Sequence, residues 1–178
     1  MSQLIRLVYA SQSNNPTSRG SVDPAIGSIL SQSRRNNQKQ EIGGVLYFGD
    51  GYFFQCLEGE AERVQALYNK ISQDPRHVHC TVLSITPAQQ RLFSDWSMKF
   101  VPTADDVQQL LQQHGYQRFT PFKFSEVFIE ELISFFHYAQ LTVQLDPDPA
   151  SYQQQPAATK PESETGLWQK LSRRLRFG

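Results

Sequence analysis

With 178 residues, the chain has room for one ordinary domain plus an appendage, and its 17 Lys and Arg against 17 Asp and Glu create no global field to attract nucleic acid or membrane. Only 39% of residues are hydrophobic, and the shortfall lies beyond Val143, where Pro, Gln, Ser and Ala dominate. Cys56 and Cys80 form no CxxC pair, which argues against a metal site or redox dithiol, and no leader-like or membrane-length apolar run occurs, so a reduced, cytoplasmic setting is expected.

In chain order, Leu4 to Ala10 is apolar and predicts a strand, followed by a long polar loop from Ser11 to Ser21. Asp23-Pro24 offers an N-cap and a first-turn proline for a helix through Ile26, Ile29 and Leu30, whose pattern dissolves at Arg34-Arg35-Asn36-Asn37. Gly44 to Phe48 and Tyr52 to Glu58 are two strands joined by Gly49-Asp50-Gly51, residues that accept the positive φ of a tight hairpin. Val64, Leu67, Tyr68 and Ile71 stand at i, i+3, i+4 and i+7 and predict an amphipathic helix. Cys80 to Ile85 and Asp95 to Val101 predict two more strands, each stopped by a proline, Pro87 and Pro102.

The order β-α-β-β-α-β-β resembles a ferredoxin-like sandwich with an added strand. The expected class is α+β: a five-stranded mixed sheet with two helices on one face. Two C-terminal helices supply cover for the other face. Thr103 to His114 has a capping-box-like start and stops at Gly115. Ser125 to Gln140 is apolar over an arc too wide for one contact, so Phe135 and Phe136 are candidates for its exposed side. Beyond Val143 a flexible tail is expected. It ends in a short basic stretch in which Leu167, Leu171 and Leu175 are spaced four apart beside Trp168. Disorder there is weighed against docking of that stretch to a membrane or acidic partner.

The sequence has no GxGxxG, P-loop, HExxH or GxSxG, and no catalytic residue is assigned. Cys56 with His77 or His79 could be imagined as nucleophile and base, but a mid-strand cysteine among apolar neighbours usually behaves as a small hydrophobe. More informative are polar residues set against apolar runs: Tyr9 ending the first strand, Asn36 and Asn37 ending the first helix, and Gln55 inside Phe53-Phe54-Gln-Cys56-Leu57. A glutamine buried in a strand costs about 1–3 kcal/mol unless its amide is satisfied. Singly, these residues pass for a core tyrosine, a helix stop and a solvent-facing strand position.

Together, Leu7-Val-Tyr-Ala-Ser, Arg35-Asn-Asn, Phe53-Phe-Gln-Cys-Leu-Glu-Gly-Glu, Asp74-Pro-Arg-His and Phe93-Ser-Asp-Trp-Ser-Met resemble the signature of BLUF domains, flavin-binding blue-light sensors. The resemblance spans about Leu4 to Val101, with every segment in order. It implies FAD as cofactor, a BLUF domain over 1–101 and a helical extension over 102–142 packing on the sheet; it does not cover the tail over 143–178. It also implies roles: Tyr9 as the donor of an electron and then a proton to the excited flavin, and Gln55 as the amide that rearranges between them. Asn37 and its neighbour Asn36 match the flavin-binding asparagine positions; Lys70, Asp74 and His77 match positions lining the cofactor. Trp96 and Met98 match the fifth-strand pair that reports the flavin's state, although alternate residues on a buried strand are most often core. Lys70 stands where other members often carry Arg, and the loop from Ser11 is longer than in compact members.

The chemistry suits those roles independently. A flavin's pyrimidine edge alternates acceptors with a donor, and a side-chain amide offers both partners. The output is expected to pass to a separate protein through the C-terminal helices, or to self-association. A cofactor-free ferredoxin-like interaction module is the alternative, and a flavin redox enzyme the lesser one, since no second-substrate site is visible.

Overall fold

The computed structural model describes residues 3–14, 28–29, 33, 36–93, 99–100 and 104–145. Four strands form the body of the sheet: β1 (Leu4–Ser13), β2 (Gly43–Gly49), β3 (Tyr52–Glu60) and β4 (His77–Pro87). β1 pairs antiparallel with both β3 and β4, and β2 pairs antiparallel with β3. The sheet order is β4-β1-β3-β2-β5, where β5 is only Lys99–Phe100, parallel to β2 at Val45 and Leu46. Among the described residues the sheet is therefore four full antiparallel strands with a two-residue parallel contact at its edge, not five full strands. So short a contact adds few ladder bonds, and the rest of the expected strand, 95–98 and 101, lies outside the described residues.

β1 runs three residues past the expected Ala10, taking in the start of the expected loop. Ser11 and Gln12 pair with Phe53 and Tyr52 of β3, and Gln12 and Ser13 pair with Val78 and His77 of β4. Backbone pairing on both sides overrides the polar side chains. The hairpin follows expectation: Asp50 and Gly51 bridge β2 and β3 with φ of 51° and 85°, the positive values of a primed two-residue turn.

Each sheet face has its own core. On one, Ile5, Leu7, Tyr9, Leu46, Phe53 and Leu57 pack with Ile29, Ile42 and Val64. Val64 belongs to helix α1 (Ala61–Ser72), whose Leu67, Tyr68 and Ile71 are only partly buried. On the other face, Tyr47 and Phe54 meet Phe119 and Phe136, with ring centroids 4.7 to 6.2 Å apart. Phe136 lies on helix α3 (Glu126–Leu145), which follows helix α2 (Ala104–Gln113) and a turn of 3-10 helix, Pro121–Lys123.

Phe136 of α3 and Phe119 thus cover the aromatics of the second face, and the two helices end differently from expectation. α2 stops in a Schellman cap: Gly115 has φ +77°, and the N–H of Tyr116 donates to Leu111 O at 2.8 Å. α3 starts on Ser125, whose Oγ accepts the Phe128 N–H at 3.2 Å, and runs five residues beyond Gln140. Phe136 is fully buried against Tyr47 and Phe135 is half-buried, so neither forms the exposed side; that side carries Val127, 78% exposed. A wide apolar arc leaves the rotational phase of a helix open, and only the sheet aromatics fix it.

Among the described residues, no helix is long and apolar enough to cross a membrane. The Asp23-Pro24 cap, Thr103 and the whole basic end lie outside the described residues.

Candidate functional site

Tyr9 and Gln55 are direct cross-strand partners on β1 and β3, and their side chains share the face covered by α1. The Tyr9 hydroxyl donates to Gln55 Oε1, which satisfies two polar groups inside a core. Both residues are almost wholly buried. Burial, above all, pushes the Tyr9 phenol well above the usual tyrosine range, so the group holds its proton. The Tyr68 ring from α1 meets Tyr9 edge-on at 5.4 Å.

Beside this pair is an open cleft lined by Tyr9, Ile29, Ser33, Asn36, Asn37, Gln55, Leu67, Lys70, Ile71, Asp74, Arg76 and His77. All six positions expected to line the cofactor (Asn36, Asn37, Gln55, Lys70, Asp74 and His77) are brought together there with Tyr9. The cleft also explains why Leu67 and Ile71 are only partly buried on the inward face of α1.

Asn36 and Asn37 do not end their helix, because helical residues continue to Lys39 before Glu41 turns with φ 53°. The Asn37 carbonyl accepts the N–H groups of Gln40 at 2.9 Å and Ile42 at 3.1 Å. Its main chain thereby shapes the helix end, while the buried residue still lines the cleft. One asparagine serves both purposes.

At the exit of α1, Asp74 accepts from Arg76 Nε at 2.9 Å and from the Arg76 backbone N–H at 2.9 Å. The Arg76 side chain holds the Asp74 carboxyl down at about 2. His77 lies against Phe53, ring centroids 4.5 Å apart, with Nδ1 2.7 Å from Ser11 Oγ. Burial lowers its imidazole to about 4; Asp74 acts in the opposite direction and Arg76 reinforces the drop. His77 is therefore neutral at pH 7, and among the described residues the cleft's charges are Lys70, Arg76 and Asp74.

Arg76 and Ser33 were not singled out from sequence, and Ile29, Leu67 and Ile71 were read only as apolar helix positions. Arg76 lies within the quoted Asp74-Pro-Arg-His segment, and only its pairing with Asp74 reveals its part. Trp96 and Met98 lie outside the described residues. Cys56 alternates with Gln55 along β3 and so faces away from the cleft and from His77. Burial pushes its thiol well up, which fits an inert core cysteine. His79 is exposed, with φ 55°, and does not line the cleft.

The lining fits a flavin. Apolar side chains of Ile29, Leu67 and Ile71 suit a flat ring, three amides suit its pyrimidine edge, and two cations suit phosphate. Comparison with known proteins agrees. Residues 4–99 match the family described as BLUF, sensors of blue-light using FAD. The photoactivated adenylate cyclase subunit beta of Euglena gracilis is 38% identical over 96 residues, 53% of this chain and 11% of that protein. The blue light- and temperature-regulated antirepressor BluF of Escherichia coli (strain K12) is 34% identical over 98 residues, 53% of this chain and 24% of that one. This chain thus spans about a tenth of the cyclase subunit and about a quarter of the antirepressor. Among solved structures, BlsA in its photo-activated state is 32% identical, with a TM-score of 0.69 over 75% of this chain and 94% of that one. BlrB, a BLUF protein in its dark state, is 26% identical, with a TM-score of 0.59 over 80% and 98%. With the matched segment covering more than half its length, the chain belongs to the BLUF family of blue-light sensors that use FAD.

Proposed function

We propose that Tyr9 and Gln55 are the photoactive pair of this sensor and that FAD, rather than FMN, fills the cleft. The carrying observation is the buried hydrogen bond from the Tyr9 hydroxyl to Gln55 Oε1 at the wall of a cleft lined by Asn36 and Asn37. Bound flavin supplies blue-light absorption and an electron acceptor. Asn36, Asn37 and Gln55 orient its ring, and Lys70 and Arg76 receive its phosphates; the family's own description favours FAD. Asp74 holds the Arg76 fork in place, and neutral His77 adds no further charge. A phenol that has lost an electron is strongly acidic, and Gln55 Oε1 is the atom set to meet its proton. The Gln55 amide can present oxygen or nitrogen at one spot by turning about its last torsion, which reverses donor and acceptor without moving β3.

The sensing domain (1–101) and helical extension (102–142) act as one unit in this reading. Signal leaves through Trp96 and Met98 to α3 and on to a separate cytoplasmic protein. The relatives support a division between sensor and effector: photoactivated cyclases carry a similar segment within longer chains.

Absorption spectra before and after blue light test the reading. A reversible red shift is expected in the wild type. Tyr9→Phe and Gln55→Ala are expected to keep flavin and lose the shift, because one removes the donor and the other the switchable amide. A full red shift in Gln55→Ala would exclude the pair.

A further inference from the structure

Glu58 stands three residues from Gln55 on β3, on the face turned to α3. It is fully buried. Its neighbours across the sheet are Arg6 of β1 and Gly43 of β2. A carboxylate removed from water needs strong donors. Arg6 Nε supplies one to Oε1 at 2.7 Å, and the Phe93 backbone N–H supplies another to Oε2 at 2.9 Å. Gly43 completes the seat. A Cβ there would run into the Phe93 carbonyl oxygen, so the absence of a side chain lets the Phe93 backbone lie on the sheet.

Both donors also touch α3. Arg6 Nη1 is 3.6 Å from Glu130 Oε2, and the Phe93 ring meets the His137 ring edge-on at 5.8 Å. Glu130 and His137 are seven residues apart, two helical turns, and share a face. One buried carboxylate therefore ties β1, β3 and the chain leading toward β5 to a single face of α3.

The two ion-pair contacts of Arg6 differ in kind. The one to Glu58 has the length of a charge-assisted hydrogen bond and cannot open without stranding a buried charge. The one to Glu130 is longer, and the Glu130 side chain is 49% exposed, so water can replace Arg6 there. The inner contact is fixed and the outer one is free to make or break.

From this arrangement we infer that Arg6 and Glu58 are positioning residues that couple α3 to the strands bearing Tyr9 and Gln55, with the Arg6–Glu130 contact as the part that differs between dark and lit states. This rests on the photosensor reading above. Turning the Gln55 amide needs no movement of β3, but the altered bond to Tyr9 changes how firmly β3 is held to β1 at that point; Arg6 and Glu58, paired across those same strands, carry the change to the far face. A population shift requires a contact that differs between the states, and the Arg6–Glu130 contact can supply one.

The test uses the full chain with flavin bound, following the red shift and the light-minus-dark hydrogen exchange of residues 126–145. Glu130→Gln removes only the exposed leg and leaves the buried pair. It is expected to keep the wild-type red shift and to reduce the exchange difference at least threefold. Glu130→Lys opposes Arg6 and is expected to move the dark exchange pattern of α3 toward the lit one. Wild-type exchange differences in both variants overturn the coupling while the photosensor reading stands, as does a wild type that red-shifts with no exchange difference in α3. A wild type without a red shift refutes the photosensor reading itself. Using a difference between states separates coupling from mere stabilisation, which alters both states alike.

Discussion

His77 offers a direct measurement of how the cleft treats charge. Its imidazole is held at about 4 against an ordinary 6.5, chiefly by burial. A depressed histidine pKa means that the unfolded chain gains a proton from about pH 6.5 downward while the folded one does not until about pH 4. Stability is thus fully present above about pH 6.5 and lost as the pH falls, with the loss complete below about pH 4. Applying the linkage relation to these two values, lowering the pH from 7 to 5 costs about 2 kcal/mol. Asp74, held at about 2, titrates below this window and does not obscure it. Urea unfolding of wild type and His77→Gln at the two pH values isolates the term, since the other titrating groups are common to both proteins. The variant is expected to lose about 2 kcal/mol less than the wild type over the interval. Equal losses would show that His77 takes up its proton normally and that the cleft tolerates a third cation.

Three further substitutions probe other parts of the structure. Gly43→Ala forces its methyl group against the Phe93 carbonyl and is expected to cost about 1–3 kcal/mol in urea unfolding, the usual range for overpacking. Asp50→Ala removes the acceptor of the Phe119 N–H, now at 2.7 Å, and puts alanine at φ 51°; thermal unfolding should report a loss of about 1–3 kcal/mol, with Asp50→Asn closer to wild type. Asn37→Ala takes an amide from the cleft and is expected to weaken flavin affinity at least tenfold by fluorescence titration, with the red shift retained in whatever fraction stays bound.

What was legible in sequence was local. The Gly49-Asp50-Gly51 turn and the α1 periodicity are written in neighbouring residues, and both appear where expected. Ser11 to Ser13 read as loop because their side chains are polar; their membership of β1 depends on β3 and β4, which lie 40 and more residues away. Phe135 and Phe136 are adjacent in the chain, and only the position of Tyr47 decides that Phe136 turns inward. Tyr9, Asn36, Asn37, Gln55, Asp74 and His77 were recognised from motifs taken together, not from any one position. Glu58 escaped notice within one of those motifs because its partner, Arg6, lies 52 residues away.

The polar residues of β3 also explain how its pairing is fixed. Phe53, Phe54, Cys56 and Leu57 are apolar on both faces of a strand buried between two layers. Slipping the strand by one residue exchanges its faces, and with apolar residues on both, hydrophobicity penalises that slip only weakly. Gln55 and Glu58 remove the ambiguity. In the observed register, Gln55 meets Tyr9 on the cleft face and Glu58 meets Arg6 on the α3 face, and both partners are on β1. A slip by one residue leaves a buried amide without its phenol and a buried carboxylate without its guanidinium, losses of several kcal/mol together. Switch and anchor therefore share one register. The strand that presents Gln55 to the cleft is held there by the charge pair on its other face, so a disturbance at either pair is felt at the other.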